Sequence, residues 1–200
     1  MQENASERLT IEKALHQAVE NEEFSLQYQP QVNAEGLLAG FEALLRWNFE
    51  GENIPPDQFI SIAEQYGLIQ KIGTWVLESA CKTANEWDKE KRLSVCVNVS
   101  IIQLQEDHFI EIVDNALRKS QLHPELLHIE ITESVFASDK KVISNKVKEL
   151  QSRGIKVSID DFGTGYSSLS VMQDLAVNIV KIDRSFITHI NSNGFAIITA

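Results

Sequence analysis

Two adjacent carboxylates, Asp160 and Asp161, stand where a run of alternating apolar residues meets a glycine-containing segment. Val157 and Ile159 have the β-branched, period-two pattern of a strand, and the glycines within residues 163–165 permit a tight loop directly after it. Neighbouring anions at a strand end repel each other, so a cation between them would stabilise the pair. Oxygen ligands of this kind suit Mg²⁺ or Mn²⁺. The alternative is a solvated acidic turn.

Further polar side chains stand near the carboxyl ends of other predicted strands. They are Glu42 and Arg46 on the second strand, Asn98 on the third, Glu130 on the fourth and Lys181 on the sixth. In a barrel of parallel strands these ends meet at one face, so we expect the groups to converge with Asp160 and Asp161. The set combines oxygens that bind metals with cations that bind phosphate.

Predicted strands and helices alternate along the chain. The strands are residues 24–32, 38–47, 93–99, 127–131, 156–160 and 178–182, and the helices are residues 8–22, 55–66, 68–89, 106–120, 142–153 and 169–175. A turn at residues 33–36 predicts a hairpin between the first two strands. Repeated strand–helix units with apolar strands indicate an α/β fold with a largely parallel sheet.

The distribution of polar groups separates two α/β architectures. A doubly wound sheet would concentrate its chemistry after the first strand, with a glycine fingerprint that this chain lacks there. A TIM-like (β/α) barrel spreads functional groups over the ends of successive strands. The sequence therefore predicts a TIM-like barrel that begins with a hairpin.

Composition limits the classes of function. With 200 residues and 43% hydrophobic content, the chain can bury one sizeable core. It has no apolar run of about eighteen residues and no signal-peptide pattern, so we expect a cytoplasmic protein without a transmembrane helix. The formal net charge of −11 argues against long nucleic acid or an anionic membrane as a partner. A small phosphate ligand remains compatible with this charge, because divalent ions reverse the local field of carboxylates.

Other reactive residue types carry weaker signals. Cys81 and Cys96 form neither a CxxC pair nor a zinc spacing, which predicts small buried thiols. The histidines show no paired metal spacing. His128 shares strand parity with Glu130, but a structural role is favoured for it.

Several segments, in their order and spacing, resemble the EAL domain, the family of cyclic di-GMP phosphodiesterases. They are YQP at residues 28–30, FEALLRW at 41–47, NVS at 98–100, EITES at 130–134, DDFGTGYSS at 160–168 and VKIDRSF at 180–186. The EAL tripeptide at residues 42–44 alone is a weak signal, whereas the ordered set is a specific one. The resemblance covers nearly the whole chain from about Leu9 onward.

The resemblance implies a site for two Mg²⁺ or Mn²⁺ ions. The implied metal ligands are Glu42, Asn98, Glu130 and Asp160, with Asp160 and Asp161 at the second ion. Four carboxylates formally balance two divalent ions, and a neutral asparagine adds an oxygen without excess charge. Two ions of this kind can clamp one phosphodiester and activate a water at neutral pH.

The resemblance also implies roles outside the ligand set. Lys181 would act in catalysis with the metal ligands Glu42 and Asp160, by orienting the attacking water or stabilising developing charge. Arg46 would hold a substrate phosphate, and Gln29 would contact the substrate. Glu133 would anchor the glycine loop that follows Asp161. A carboxylate favoured by a helix N-terminus is the alternative for Glu133.

The domain prediction divides the chain once. Residues 1–22 are expected to form an N-terminal connector helix, and residues 23–200 an EAL-type barrel with about six of eight strands. Without the last strand–helix units, the chain in isolation is expected to be inactive and to self-associate through uncovered apolar surface. A homodimer and an upstream sensory or diguanylate cyclase domain are further expectations.

The main functional hypothesis is metal-dependent hydrolysis of cyclic di-GMP to linear pGpG in bacterial second-messenger signalling. The alternative is a non-catalytic module that binds cyclic di-GMP or docks a protein. The chain keeps every implied metal ligand that it covers, which favours the enzyme. A general nuclease is disfavoured, because the acidic composition predicts weak affinity for long polyanions.

Overall fold

The computed structural model of the chain describes residues 2–87, 92–132, 135, 139–162, 175–183 and 185. The strands are β1 Phe24–Val32, β2 Leu38–Phe49, β3 Glu52–Ile54, β4 Ser94–Asn98, β5 Leu127–Thr132, β6 Lys156–Phe162 and β7 Ile179–Ile182. The helices are α1 Gln2–Ala18, α2 Pro56–Gln65, α3 Ile69–Glu86, α4 Ile101–Gln105, α5 Phe109–Ser120 and α6 Lys140–Ser152, with a 3-10 turn at Pro124–Leu126. Within these ranges, no helix is both long and apolar enough to span a bilayer.

The predicted strands are confirmed, each within two residues at either end. Two short elements, β3 and α4, were not predicted. Helix α1 begins earlier than expected and ends at Ala18, so the prediction of a helix continuing to residue 22 was wrong. Of the helix predicted over residues 169–175, only residue 175 lies within the described part of the chain.

The described strands form one sheet in the order β1-β2-β4-β5-β6-β7, and β3 pairs with β2. β1 and β2 are antiparallel, which confirms the hairpin. From β2 through β4, β5 and β6 to β7, neighbouring strands are parallel. This sequential order is that of a TIM-like barrel, whereas strand order in a doubly wound sheet reverses at a switch point. The predicted α/β barrel is confirmed, and the described residues form an incomplete barrel.

The middle strands β4, β5 and β6 have two faces of opposite chemistry, because successive side chains point to opposite sides of a sheet. We refer to one as the apolar face: Val95, Val97, Ile129, Ile131, Val157 and Ile159, each at most 1% exposed. We refer to the other as the polar face: Cys96, Asn98, His128, Glu130, Ser158 and Asp160. The apolar face belongs to the same core as Ile72, Val113 and Leu150 of the surrounding helices. Hydrophobic burial therefore stabilises these strands from one side.

Helix α1 and the hairpin share part of that core. Ile11, Leu15 and Ala18 of α1 are buried. Trp47 of β2 is fully buried, with its ring centroid 5.9 Å from that of Phe24. Helix α1 is thus packed into the folded body, and its predicted role as a connector to another domain stays a prediction.

The segment after β4 is fixed by a capping box. Ser100 Oγ accepts a hydrogen bond from Gln103 N, and Gln103 Oε1 accepts one from Ser100 N, so the first turn of α4 has its polar groups satisfied. Gln103 is 5% exposed and packs against Gly73 of α3, where a Cβ would overlap its Nε2 atom. This close approach of α3 and α4 holds the chain directly after Asn98, the last residue of β4.

Candidate metal centre

An ammonium group lies among three carboxylates near the carboxyl ends of the parallel strands. Lys181 Nζ is 2.9 Å from Glu42 Oε2, 2.9 Å from Glu130 Oε2 and 3.3 Å from Asp160 Oδ2. The lysine comes from β7, and the carboxylates, which we refer to as the carboxylate cluster, come from β2, β5 and β6. The structure thus brings together four of the residues singled out in the sequence.

Strand register places Asn98 beside this cluster. Asn98 pairs with Glu130 across β4 and β5. Its Nδ2 atom donates a hydrogen bond of 3.0 Å to Glu42 Oε1. Because the nitrogen makes that bond, the amide oxygen is the atom that a cation would take.

Burial and the opposite charge of Lys181 together set the pKa values within the cluster. Burial raises the pKa of Glu130, which is 2% exposed, and the hydrogen bond from Lys181 opposes that rise. Burial alone lowers the pKa of Lys181, but hydrogen bonds to Glu42 and Glu130 outweigh it, and the pKa lies above its ordinary value. Lys181 is therefore a cation at neutral pH and acts as the counter-ion of the cluster.

The donor set fits a hard divalent ion. Glu42, Glu130 and Asp160 each offer a carboxylate oxygen, and these three atoms lie within 4.8 Å of one another. Mg²⁺ and Mn²⁺ prefer carboxylate and carbonyl oxygens, whereas softer ions prefer sulfur and imidazole. Three anionic oxygens beside the Asn98 amide match the first class.

Asp161 departs from regular strand geometry. Its φ is +54°, in the left-handed region that is strained for residues other than glycine. The pairing of β6 with β7 shifts register between Ile159 and Phe162 around it. Its backbone nitrogen donates to Asp160 Oδ1 at 3.0 Å and so orients that carboxylate. The structure places Asp161 next to the carboxylate cluster, and its ligation of a second ion stays a prediction.

Asp183 is a charged neighbour that the sequence reasoning missed. Burial raises the pKa of Asp161, and the charges of Asp160 and Asp183 raise it further. Asp183 Oδ1 accepts a hydrogen bond of 2.8 Å from Ser185 N. The available signal was its position directly after the strand that carries Lys181.

Arg46 and Gln29 lie on the β1–β2 hairpin, which also carries Glu42 of the carboxylate cluster. Gln29 is exposed on β1 and pairs with Glu42 across the two strands. Arg46 Nε donates to Gln27 Oε1 at 2.8 Å, and its Nη1 atom donates to Leu45 O at 2.9 Å. Gln27, which the sequence reasoning also missed, holds the guanidinium. The substrate contacts of Gln29 and Arg46 stay predictions.

A neutral pair of buried groups adjoins Glu130 on the polar face. Cys96 Sγ donates to Gln31 Oε1 at 3.1 Å and lies 3.6 Å from His128 Nδ1. Burial raises the pKa of Cys96 to about 12, and burial lowers the pKa of His128 to about 4. Neither group adds charge beside the carboxylate cluster at neutral pH. Cys81 is also buried, so the prediction of small buried thiols is confirmed.

Two predicted parts of the site, Glu133 and residues 163–168 of the glycine loop, lie outside the described residues. The role of Glu133 as the anchor of that loop therefore stays a prediction.

Comparisons with known proteins agree on one family. The family model described as "EAL domain" matches residues 12–200. Signaling protein YkoW of Bacillus subtilis is 42% identical over 189 residues, which are 93% of this chain and 24% of the relative. The bifunctional diguanylate cyclase/cyclic di-GMP phosphodiesterase MucR of Pseudomonas aeruginosa is 39% identical over 206 residues, 100% of this chain and 30% of the relative.

A solved structure supports the same fold assignment. The PaMucR phosphodiesterase in complex with c-di-GMP superimposes with a TM-score of 0.85 at 38% identity, and the match covers 92% of this chain and 76% of that one. This chain spans less than a third of the length of the two curated relatives above.

Proposed function

This chain belongs to the EAL domain family, and from that premise we propose that it hydrolyses cyclic di-GMP to linear pGpG with two Mg²⁺ or Mn²⁺ ions. The observation that carries the proposal is the carboxylate cluster itself, with its three oxygens within 4.8 Å of one another. A relative named as a cyclic di-GMP phosphodiesterase, MucR, matches the whole chain. Its structural counterpart was solved with that ligand.

Some residues of the site would hold the metal ions, and others would orient the side chains that hold them. Glu42, Asn98, Glu130 and Asp160 would hold one ion, and Asp160 with Asp161 would hold the other. When bound, such ions lower the pKa of water and stabilise charge on a phosphodiester. Asp161 N already orients Asp160 through a 3.0 Å hydrogen bond, so less side-chain freedom is lost when the site fills.

Lys181 and the hairpin would act on the nucleotide. The ammonium of Lys181 can hydrogen-bond a water or a phosphate oxygen at the position where charge develops. The planar guanidinium of Arg46 suits two oxygens of one phosphate, and Gln27 fixes its direction. Gln29 supplies an exposed amide on the neighbouring strand.

The test is magnesium-dependent turnover of cyclic di-GMP by the full-length protein, with pGpG followed by chromatography. Glu42→Gln keeps the shape of the side chain and removes one ligand charge, so we expect turnover to fall by more than about a hundredfold, the upper range for residues that only support a metal ligand. Glu52→Gln on β3 is the matched control, because that glutamate is exposed. The control should retain wild-type turnover.

Two outcomes would reject the proposal. Near-normal hydrolysis by Glu42→Gln at saturating magnesium would remove the cluster from the reaction. Tight binding of cyclic di-GMP by the wild-type protein, with no pGpG formed, would favour the non-catalytic binding module instead.

A further inference from the structure

Lys181 occupies the position that a cation held by the carboxylate cluster would take. Its Nζ atom is 2.9, 2.9 and 3.3 Å from one oxygen of each of the three carboxylates. An ammonium has three donors and no acceptor, so it can satisfy three separate carboxylates at once. The lysine thus binds one oxygen of each carboxylate that would hold a metal ion.

A divalent ion and the ammonium cannot share this position. Mg²⁺ binds oxygen at about 2.0–2.1 Å, and the cluster's ligand oxygens lie within 4.8 Å of one another. An ion in contact with these oxygens would therefore overlap the present position of Nζ or lie at contact distance from it. Two cations at such a separation repel strongly in a partly buried site.

The lysine is held by charge and can leave by rotation of its side chain. Its side chain is 27% exposed, so a path to solvent exists. Its four-carbon stem has several rotatable bonds, unlike the planar fork of an arginine. β7, which carries it, pairs irregularly with β6 around the cluster.

We propose that Lys181 is a built-in competitor of the divalent ion, holding Glu42, Glu130 and Asp160 together until the ion displaces it. The inference rests on the ion site proposed above. It adds an opposing effect to the catalytic role of Lys181: the same side chain lowers metal affinity. The lysine keeps the three carboxylates from repelling one another and sets the ion concentration at which the site fills.

The test is Mn²⁺ binding to the full-length protein without nucleotide, measured by titration calorimetry. Lys181→Met removes the competing charge, so we expect the dissociation constant for Mn²⁺ to fall at least about tenfold, given the strength of a charge–charge contact at this distance. Lys181→Arg keeps a cation and should bind Mn²⁺ no more tightly than wild type. Lys156→Met, an exposed lysine at the start of β6, removes the same charge without a contact to the cluster and should stay near wild type.

Thermal unfolding supplies a second readout. In EDTA, Lys181→Met should melt below wild type, because three carboxylates are left without a counter-ion. Saturating Mn²⁺ should raise its melting temperature more than it raises that of wild type. If Lys181→Met does not fold in EDTA, folding restored by Mn²⁺ would support the exchange, and failure to fold with Mn²⁺ would count against it.

The outcomes separate this inference from the proposed function. Unchanged or weaker Mn²⁺ binding by Lys181→Met, in a protein whose wild type hydrolyses cyclic di-GMP, would overturn the competitor role alone. Absence of Mn²⁺ binding in both wild type and Lys181→Met would overturn the ion site and the competitor together.

Discussion

The apolar and polar faces of β4, β5 and β6 share one backbone and differ only in the parity of their residues. Ile129 and Ile131 of β5 are at most 1% exposed within the core, while Glu130 between them is 2% exposed and bound by Lys181. Cys96, His128, Glu130 and Ser158 of the polar face are buried like the apolar face, whereas Asn98 at the end of β4 is exposed. The difference shows that burial alone does not identify a core position: the partner of each side chain decides what its burial contributes.

Each face follows its own rule for buried groups. The apolar face gains free energy in proportion to the area removed from water. On the polar face, burial costs free energy unless each polar group has a partner. Among the described residues, no buried side-chain nitrogen or oxygen lacks a hydrogen-bond partner. The strands can therefore carry titratable groups on one face because the other face supplies their stability.

Substitutions at two neighbouring residues of β5 should differ most in their effects on turnover and on the free energy of unfolding. Glu130→Gln should reduce turnover of cyclic di-GMP by more than about a hundredfold, through loss of a proposed metal ligand. It should change the free energy of unfolding without metal by only about 1 kcal/mol, because Lys181 keeps Glu42 and Asp160. Ile129→Ala should cost about 2–5 kcal/mol of stability, through an internal cavity, with turnover per folded molecule unchanged.

Denaturant unfolding and turnover normalised to the folded fraction measure the two effects separately. A loss of turnover in Ile129→Ala as strong as that in Glu130→Gln, at a temperature where both are folded, would contradict the division into two faces. The faces would then be coupled through the backbone and not divided by parity.

Much of this fold can be predicted from the sequence, because residue patterns within single segments indicate its strands, turns and helix ends. Alternation in residues 24–32 and 38–47, with a turn between them, predicts the hairpin that the structure contains. Glycine at position 67 marks the end of one helix, with φ of +71°. The end of α1 was misplaced, since apolar periodicity continues past Ala18 to Val19, after the helix has ended.

The parts that escaped prediction depend on contacts distant in sequence. Lys181 meets Glu42 across 139 positions of the chain, and no local pattern reports that the ammonium takes the centre of the cluster. The positive φ of Asp161 arises where β6 changes register against β7. β3 has only three residues and exists through its pairing with β2.

The pH dependence of stability reports how the polar face treats a buried titratable group. His128 has a pKa of about 4, below its ordinary 6.5, because burial disfavours the charged ring. Between these values the unfolded chain binds the proton and the folded chain does not, so stability falls as pH decreases from 6.5 to 4. The loss should reach about 3 kcal/mol, from the free energy equivalent of the shift. Denaturant unfolding across this pH range measures it.

His128→Gln should flatten that part of the pH profile, with any remaining slope due to carboxylates. His108→Gln is the matched control, because the side chain of His108 is 82% exposed. Equal slopes for wild type and His128→Gln would show that the ring is not held neutral by burial. The polar face would then tolerate charge at this depth.

Ser158 gives the smallest expected effect and tests whether every polar residue of that face serves the site. The residue is 2% exposed, and its hydroxyl donates to Ile129 O at 3.4 Å, a distance at which a hydrogen bond is weak. Ser158→Ala removes the hydroxyl together with its weak bond, so stability should change by less than about 1 kcal/mol. Turnover should stay at the wild-type level, since the hydroxyl bonds the backbone and not the carboxylate cluster. A tenfold loss of turnover with unchanged stability would mean that the polar face works as one unit. The site would then include Ser158, which pairs with Glu130 across β5 and β6.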